Sequence, residues 1–179
     1  HFGTLIPVLI VFWDDIKEIL YFKKEKRYFI FLIIIASIPT ALMGVFFEDF
    51  FEKLFSSTLS TASMLIVTGF ILYLGDNLAD YEKEITNFKW LNAVLVGIAQ
   101  GIAIIPGISR SGSTITASLI QGLKKEEAAR FSFILSIPVI GGAGLLKVGE
   151  AVNTGVTNFN MTAIILGIIS SIISGYIAI

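Results

Sequence analysis

Apolar residues fall along this chain in long blocks separated by short polar ones. Arg27 to Phe47 carries one charge, at its edge, Leu59 to Gly75 and Ala128 to Val148 are similarly apolar, and Phe159 to Ile179 has no charge. A helix needs roughly twenty apolar residues to cross a hydrocarbon layer of ~30 Å, so each block predicts a transmembrane helix. Pro39 inside the first predicts a kink rather than a break, because bilayer helices tolerate proline. Phe2 to Trp13 reads as the end of a further helix, with Trp13 at an interface. Asp14 to Arg27 reads as a polar, basic connection, and Glu48 to Ser57 (EDFFEKLFSS) as a short amphipathic segment lying at the interface. A polar loop runs from Asp76 to Lys89, and another ends at Asn158.

Two further apolar stretches, Leu91 to Ile105 and Arg110 to Leu123, are each about fifteen residues long and too short to span. A Pro-Gly interruption, Pro106-Gly107, separates them. Paired half-helices around such a break mark a re-entrant segment lining a buried site. Basic residues test the idea. If 91–123 enters and leaves on one face, that face holds ten Lys and Arg against two on the other; a full crossing gives eight against four. The positive-inside tendency favours the more asymmetric division, which makes the basic loops cytoplasmic.

Composition agrees with this layout: 55% of the 179 residues are hydrophobic and 15% charged, where soluble domains carry about a quarter charged. A net charge of -1 gives no field for nucleic acid. The chain has no cysteine, which excludes disulfides, thiolate metal sites and cysteine nucleophiles. Both ends fall inside apolar runs, so the chain is expected to be a single integral membrane domain, 1–179, that is part of a longer protein.

The Pro-Gly break opens the sequence PGISRSGST, residues 106–114, in which Arg110 is the one charge expected at membrane depth. Arginine at the bilayer centre costs at least ~2.5 kcal/mol, so it usually faces a cavity and serves a ligand. Ser109, Ser111, Ser113, Thr114, Thr116 and Ser118 surround it in sequence, and Gly107 and Gly112 allow close backbone approach. A helix starting at Arg110 aims its free N–H groups and positive dipole end at the same place. Guanidinium, hydroxyls and helix N-terminus together suit phosphate oxygens. Plainer readings stay open: Arg110 snorkelling to headgroups or pairing with a carboxylate on another helix, and hydroxyls that only cap or pack. Gln100 reads as an interhelix hydrogen-bonder, His1 as filler, KKEKR and KKEE as solvated faces, and Pro138 with Gly141, Gly142 and Gly144 as a kink with close packing. Asn160-Met161-Thr162 fits a glycosylation sequon, a weak match.

GIAQGIAIIPGISRSGSTI (97–115), followed by FSFILSIPVIGGAGLLK (131–147), resembles the undecaprenyl-diphosphatase family, the bacitracin-resistance proteins of bacteria with relatives in archaea; HFGTLIPVLIVFWDDI (1–16) is similar to another of its stretches. The resemblance implies an all-α polytopic membrane protein in which the re-entrant pair 91–123 is one half of an inverted repeat. It implies hydrolysis of undecaprenyl diphosphate, recycling the lipid carrier of cell-wall synthesis, in the plasma membrane of a prokaryote. Arg110, Ser109 and Ser111 would then be catalytic, gripping the diphosphate, with Gly107, Gly112, Ser113 and Thr114 completing the phosphate site. A second family signature, rich in glutamate and ending Ser-Ser-Thr-Gly-His, is not in this chain, and Gln100 stands where a glutamate would be echoed. No resident metal is assigned, although Mg2+ or Ca2+ bridging phosphate and carboxylates suits the chemistry. The expected partners are the lipid diphosphate, membrane lipids and a second copy in a homodimer. A transporter or flippase using the broken-helix anion site is the alternative.

Overall fold

The computed structural model describes residues 2–78, 83–153 and 161–179. His1 and Asn160 lie outside them, as does the part of the expected loop from 154 to 158. The described helices are α1 (Phe2–Val11), α2 (Trp13–Leu20), α3 (Arg27–Phe46), α4 (Glu48–Phe55), α5 (Thr58–Leu78), α6 (Trp90–Ile102), α7 (Arg110–Ile120), α8 (Lys125–Asn153) and α9 (Met161–Ala178). Four stretches, Lys24–Phe46, Thr58–Asn77, Lys125–Gly149 and Met161–Ala178, are helices long and apolar enough to cross a membrane. The chain is an all-α, multi-pass membrane protein.

Boundaries differ from expectation where charges were read as loop. Trp13–Leu20 is helical because Asp14 and Asp15 sit in its first turn, where the helix dipole favours carboxylates. Lys17 then pairs with Asp14 at 2.7 Å, one turn on, and this hydrogen bond and charge hold the exposed Asp14 carboxyl below its ordinary pKa. Glu126 and Glu127 likewise occupy the first turn of α8, so most of KKEE is helix. Pro39 and Pro138 both lie inside continuous helices. In α4 Phe51 is buried while Phe50 and Phe55 are exposed, the division an interfacial helix needs.

The residues form two compact units. One comprises residues 1–23 and 134–179, in which α1 packs along α9. There Gly141 and Gly142, expected in close packing, face open space: a Cβ at either meets nothing within 4 Å. The other unit, residues 24–133, holds α3 to α7 and the start of α8.

In this second unit five helix ends meet at one basic face. The Tyr28 hydroxyl, at the start of α3, donates to the Phe88 carbonyl at 2.9 Å, just before α6. Gln121, just past α7, donates its amide to the Asn92 carbonyl at 3.4 Å, in the first turn of α6. Lys83 pairs with the connection from α7 to α8, its N–H on the Gly122 carbonyl at 2.8 Å and its carbonyl accepting from Lys124 N–H at 3.0 Å. Lys125 reaches Asp76 at 3.1 Å, joining the end of α5 to the start of α8. Helices α6 and α7 therefore form a hairpin whose two ends share a face. Thirteen residues at 1.5 Å each carry α6 about 20 Å at most from that face, short of a crossing.

The hairpin is wedged between two spans, α6 along α3 and α7 along α5. Without a hydrophobic driving force inside lipid, helices associate where small residues let backbones approach and hydroxyls bond across. Gly97 lies against the backbone of Ala36, whose carbonyl a Cβ would overlap. At the same level Thr40 donates to the Gly97 carbonyl at 2.9 Å and accepts from Gln100 Nε2 at 3.2 Å. Gln100 thus makes the interhelical bond expected of it.

Gly97→Ala should drive α3 from α6 and lower stability by about 1–3 kcal/mol, the usual cost of overpacking. Thermal unfolding in detergent measures this; an unchanged midpoint means the contact is not tight.

Candidate functional site at the hairpin tip

The tip is built by its sequence in three steps. Residues 103–105 end α6 in tightening turns, with Ile104 N–H on the Gly101 carbonyl and Ile105 N–H on that of Ile102. Pro106 cannot donate and stops the helix. Ile108 N–H then closes onto the Ile105 carbonyl at 3.1 Å, with Gly107 at φ +94. Proline then glycine at positive φ is the type II turn signature. A side chain at Gly107 would also overlap the Thr61 carbonyl of α5.

Backbone groups at membrane depth need partners within the protein. Thr68, midway along α5, supplies two: it donates to the Gly107 carbonyl at 2.9 Å and accepts from Ser109 N–H at 3.0 Å. Ser109 caps α7, its Oγ accepting from Gly112 N–H at 3.1 Å. The amides of Arg110 and Ser111, first in the helix, have no intrahelical acceptor.

Arg110 begins α7, and its Nη1 is buried without a hydrogen-bond partner among the described residues. The carboxylate pairing that a purely structural arginine needs is not seen among them. Ser109, Ser111 and Gly107 are half-buried beside it in sequence, while Gly112 lies buried on the cap. Ser113 and Thr114 differ from these: they are 7% and 0% exposed, turned into the protein. Thr114 Oγ1 lies 3.0 Å from the Arg110 carbonyl and 2.5 Å from Ser132 Oγ. Thr116 and Ser118 are also buried, the latter bonded to the Thr114 carbonyl at 2.8 Å. The face left for a ligand thus offers the Arg110 guanidinium, the Ser109 and Ser111 hydroxyls and two free amides, all donors. No group of three His, Asp or Glu side chains that could hold a metal ion comes together among the described residues. What these residues themselves bring is fixed positive charge and hydrogen-bond donors.

Sequence reasoning did not single out Thr40, Thr68 or Ser132. The available signal was a hydroxyl residue within a membrane-spanning helix, which says a backbone needs help but not which one. Gln100, 1% exposed, keeps its Oε1 without a partner beside Thr40.

Comparison with known proteins follows the same residues. The whole chain, 1–179, matches the family model described as bacitracin resistance protein BacA. It is 55% identical over 179 residues to the undecaprenyl-diphosphatase of Halothermothrix orenii, covering all of this chain and 69% of that protein. The undecaprenyl-diphosphatase of Carboxydothermus hydrogenoformans is 44% identical over 181 residues, with 100% and 69% covered. That of Methanosphaera stadtmanae is 36% identical over 199 residues, with 100% and 71% covered.

Thr68→Val removes both bonds to the tip at nearly constant volume. Backbone amide exchange at Ser109 should then rise about ten-fold or more, since a buried unsatisfied group costs ~1–3 kcal/mol. Exchange at the wild-type rate would show that Thr68 does not hold the turn.

Proposed function

The chain belongs to the bacitracin resistance protein BacA family, and from that premise we infer that it is an undecaprenyl-diphosphatase, a membrane hydrolase of the prokaryotic plasma membrane acting on a polyprenyl diphosphate. The observation that carries the reading at this site is the Arg110 Nη1, buried and without a partner. A buried guanidinium that no carboxylate neutralises is costly unless an anion completes it. The relatives' names identify a lipid whose headgroup is such an anion.

In the reaction water adds to the terminal phosphorus, the bridging P–O bond breaks, and undecaprenyl phosphate and inorganic phosphate separate. Negative charge moves onto the bridging oxygen and spreads over the transferred group. Phosphoryl transfer of this kind is accelerated mainly by positioning and by charge stabilisation. Arg110 supplies a fixed cation with forked donors. The Ser109 hydroxyl, whose oxygen accepts from Gly112, keeps its own proton to donate to phosphate, and Ser111 donates a second. The amides at positions 110 and 111 add the dipole end of α7. Gly107 shapes the turn that brings them together, and Gly112 keeps the cap close. Thr114, turned inward and bonded to the carbonyls of Arg110 and Ser111, serves by holding the first turn of α7 rather than by contact. The acid–base groups lie outside this set, because nothing in it can take a proton from water at neutral pH.

Depth bears on the side. If the basic face is cytoplasmic, a tip about 20 Å from it lies nearer the outer face of a ~30 Å layer, where the diphosphate would enter.

The test is phosphate release from undecaprenyl diphosphate by the full-length protein. Arg110→Ala should lower kcat by about 10²–10³, the loss typical of a transition-state donor. Arg110→Lys keeps the charge but not the fork and should still lose about ten-fold. Near-normal rates in both variants would overturn the assignment of Arg110.

A further inference from the structure

The sequence continuing the motif, Phe131-Ser132-Phe133, places a serine on α8 that the mechanism above does not use. Ser132 is fully buried, and its hydroxyl lies 2.5 Å from that of Thr114. Thr114 Oγ1 is also 3.0 Å from the Arg110 carbonyl and 3.2 Å from the Ser111 carbonyl. A hydroxyl has one proton to donate. In a helix, threonine usually places it on a carbonyl one turn back. Thr114 therefore donates to the carbonyls of positions 110 and 111, and Ser132 donates the proton of the short bond. This chain of bonds runs from α8 to the backbone of the two residues that open α7. Its fixed end is stiff: the ring of the adjacent Phe131, fully buried, sits edge-on to Phe29 and Phe88, with centroids 5.8 Å away in each case. Those two phenylalanines lie in α3 and immediately before α6.

We propose that Ser132 is a positioning residue: through Thr114 it fixes the first turn of α7, and with it the aim of Arg110 and of the free amides of positions 110 and 111. This rests on the diphosphatase reading, since it is the diphosphate that these groups meet. Thr68 and Ser109 hold the turn that precedes the helix; Ser132 and Thr114 hold the helix itself from the opposite side. A serine between two phenylalanines is what the geometry needs, a small donor on a helix whose neighbouring ring is locked. A guanidinium displaced by a fraction of an ångström still binds the headgroup but meets the developing charge poorly, so the loss falls on kcat more than on KM.

The test uses full-length protein in detergent with undecaprenyl diphosphate, measuring kcat, KM and the unfolding temperature together. Ser132→Ala should lower kcat about ten-fold with KM near wild type. Thr114→Val, which keeps shape and removes the hydroxyl, should do the same, while Thr114→Ser restores most of the rate. Ser132→Ala combined with Thr114→Val should be no slower than the worse single variant, because both break one bond. Should Ser132→Ala fail to fold, the Thr114→Val and Thr114→Ser pair carries the comparison. Wild-type kcat in folded Ser132→Ala, additive losses in the double variant, or losses of rate that follow the unfolding temperature alone would overturn the positioning role. Each of these leaves the diphosphatase reading intact provided the wild-type protein releases phosphate and Arg110→Ala does not. Wild-type protein that releases none would sink that reading and the proposal with it.

Discussion

Helices α6 and α7 have thirteen and eleven residues and cannot cross a bilayer. Much of the second unit follows from that shortfall. Their outer ends must return to one face, and there Gln121 joins them directly, while Tyr28 ties the approach to α6 onto α3 and Lys83 pairs with the connection from α7 to α8. Their inner ends leave carbonyls and amides in a layer without water. Such groups persist only if the protein partners them. Thr68 and Ser109 do so, each with a hydroxyl that accepts or donates where a helix would have supplied the bond. The spans α3 and α5 are held near by glycine, which lets the α6 backbone lie against Ala36.

A broken hairpin held this way concentrates donors at one point. Helix α7 begins there, so its dipole and first amides are unspent, and Arg110 adds a charge whose Nη1 no described residue satisfies. The same feature that makes the segment unfit to span makes it fit to bind an anion within the membrane. Family membership then specifies the anion. On the proposed reading the grip and the cut are separable: charge stabilisation is the part assigned to the tip, and proton transfer requires groups of a kind the tip does not contain.

Much of this was legible from residue order. Spans of about twenty apolar residues, two half-length stretches and a Pro-Gly break were enough to place the hairpin, and the division of basic residues agreed with where its ends meet. Charge misled where it lay near a helix start: Asp14, Asp15, Glu126 and Glu127 read as loop but stabilise the first turns of α2 and α8. The hydroxyl residues were legible as a group and not individually. The six hydroxyl positions from Ser109 to Ser118 look alike in sequence, yet Ser111 is half-buried beside Arg110 while Thr114 is buried against Ser132. That division depends on which neighbour each helix face meets, which is a tertiary fact. For the same reason Thr68 and Ser132, distant in sequence from Arg110, were not foreseen as its supports.

The central claim is that the tip of a re-entrant hairpin grips a lipid diphosphate. The chain contains no cysteine, so a single Ser111→Cys substitution can report on the tip with a membrane-impermeant thiol reagent. The account predicts labelling from the face opposite the basic loops, and protection when undecaprenyl diphosphate is added. Labelling from the basic face alone, or labelling indifferent to the lipid, would contradict it.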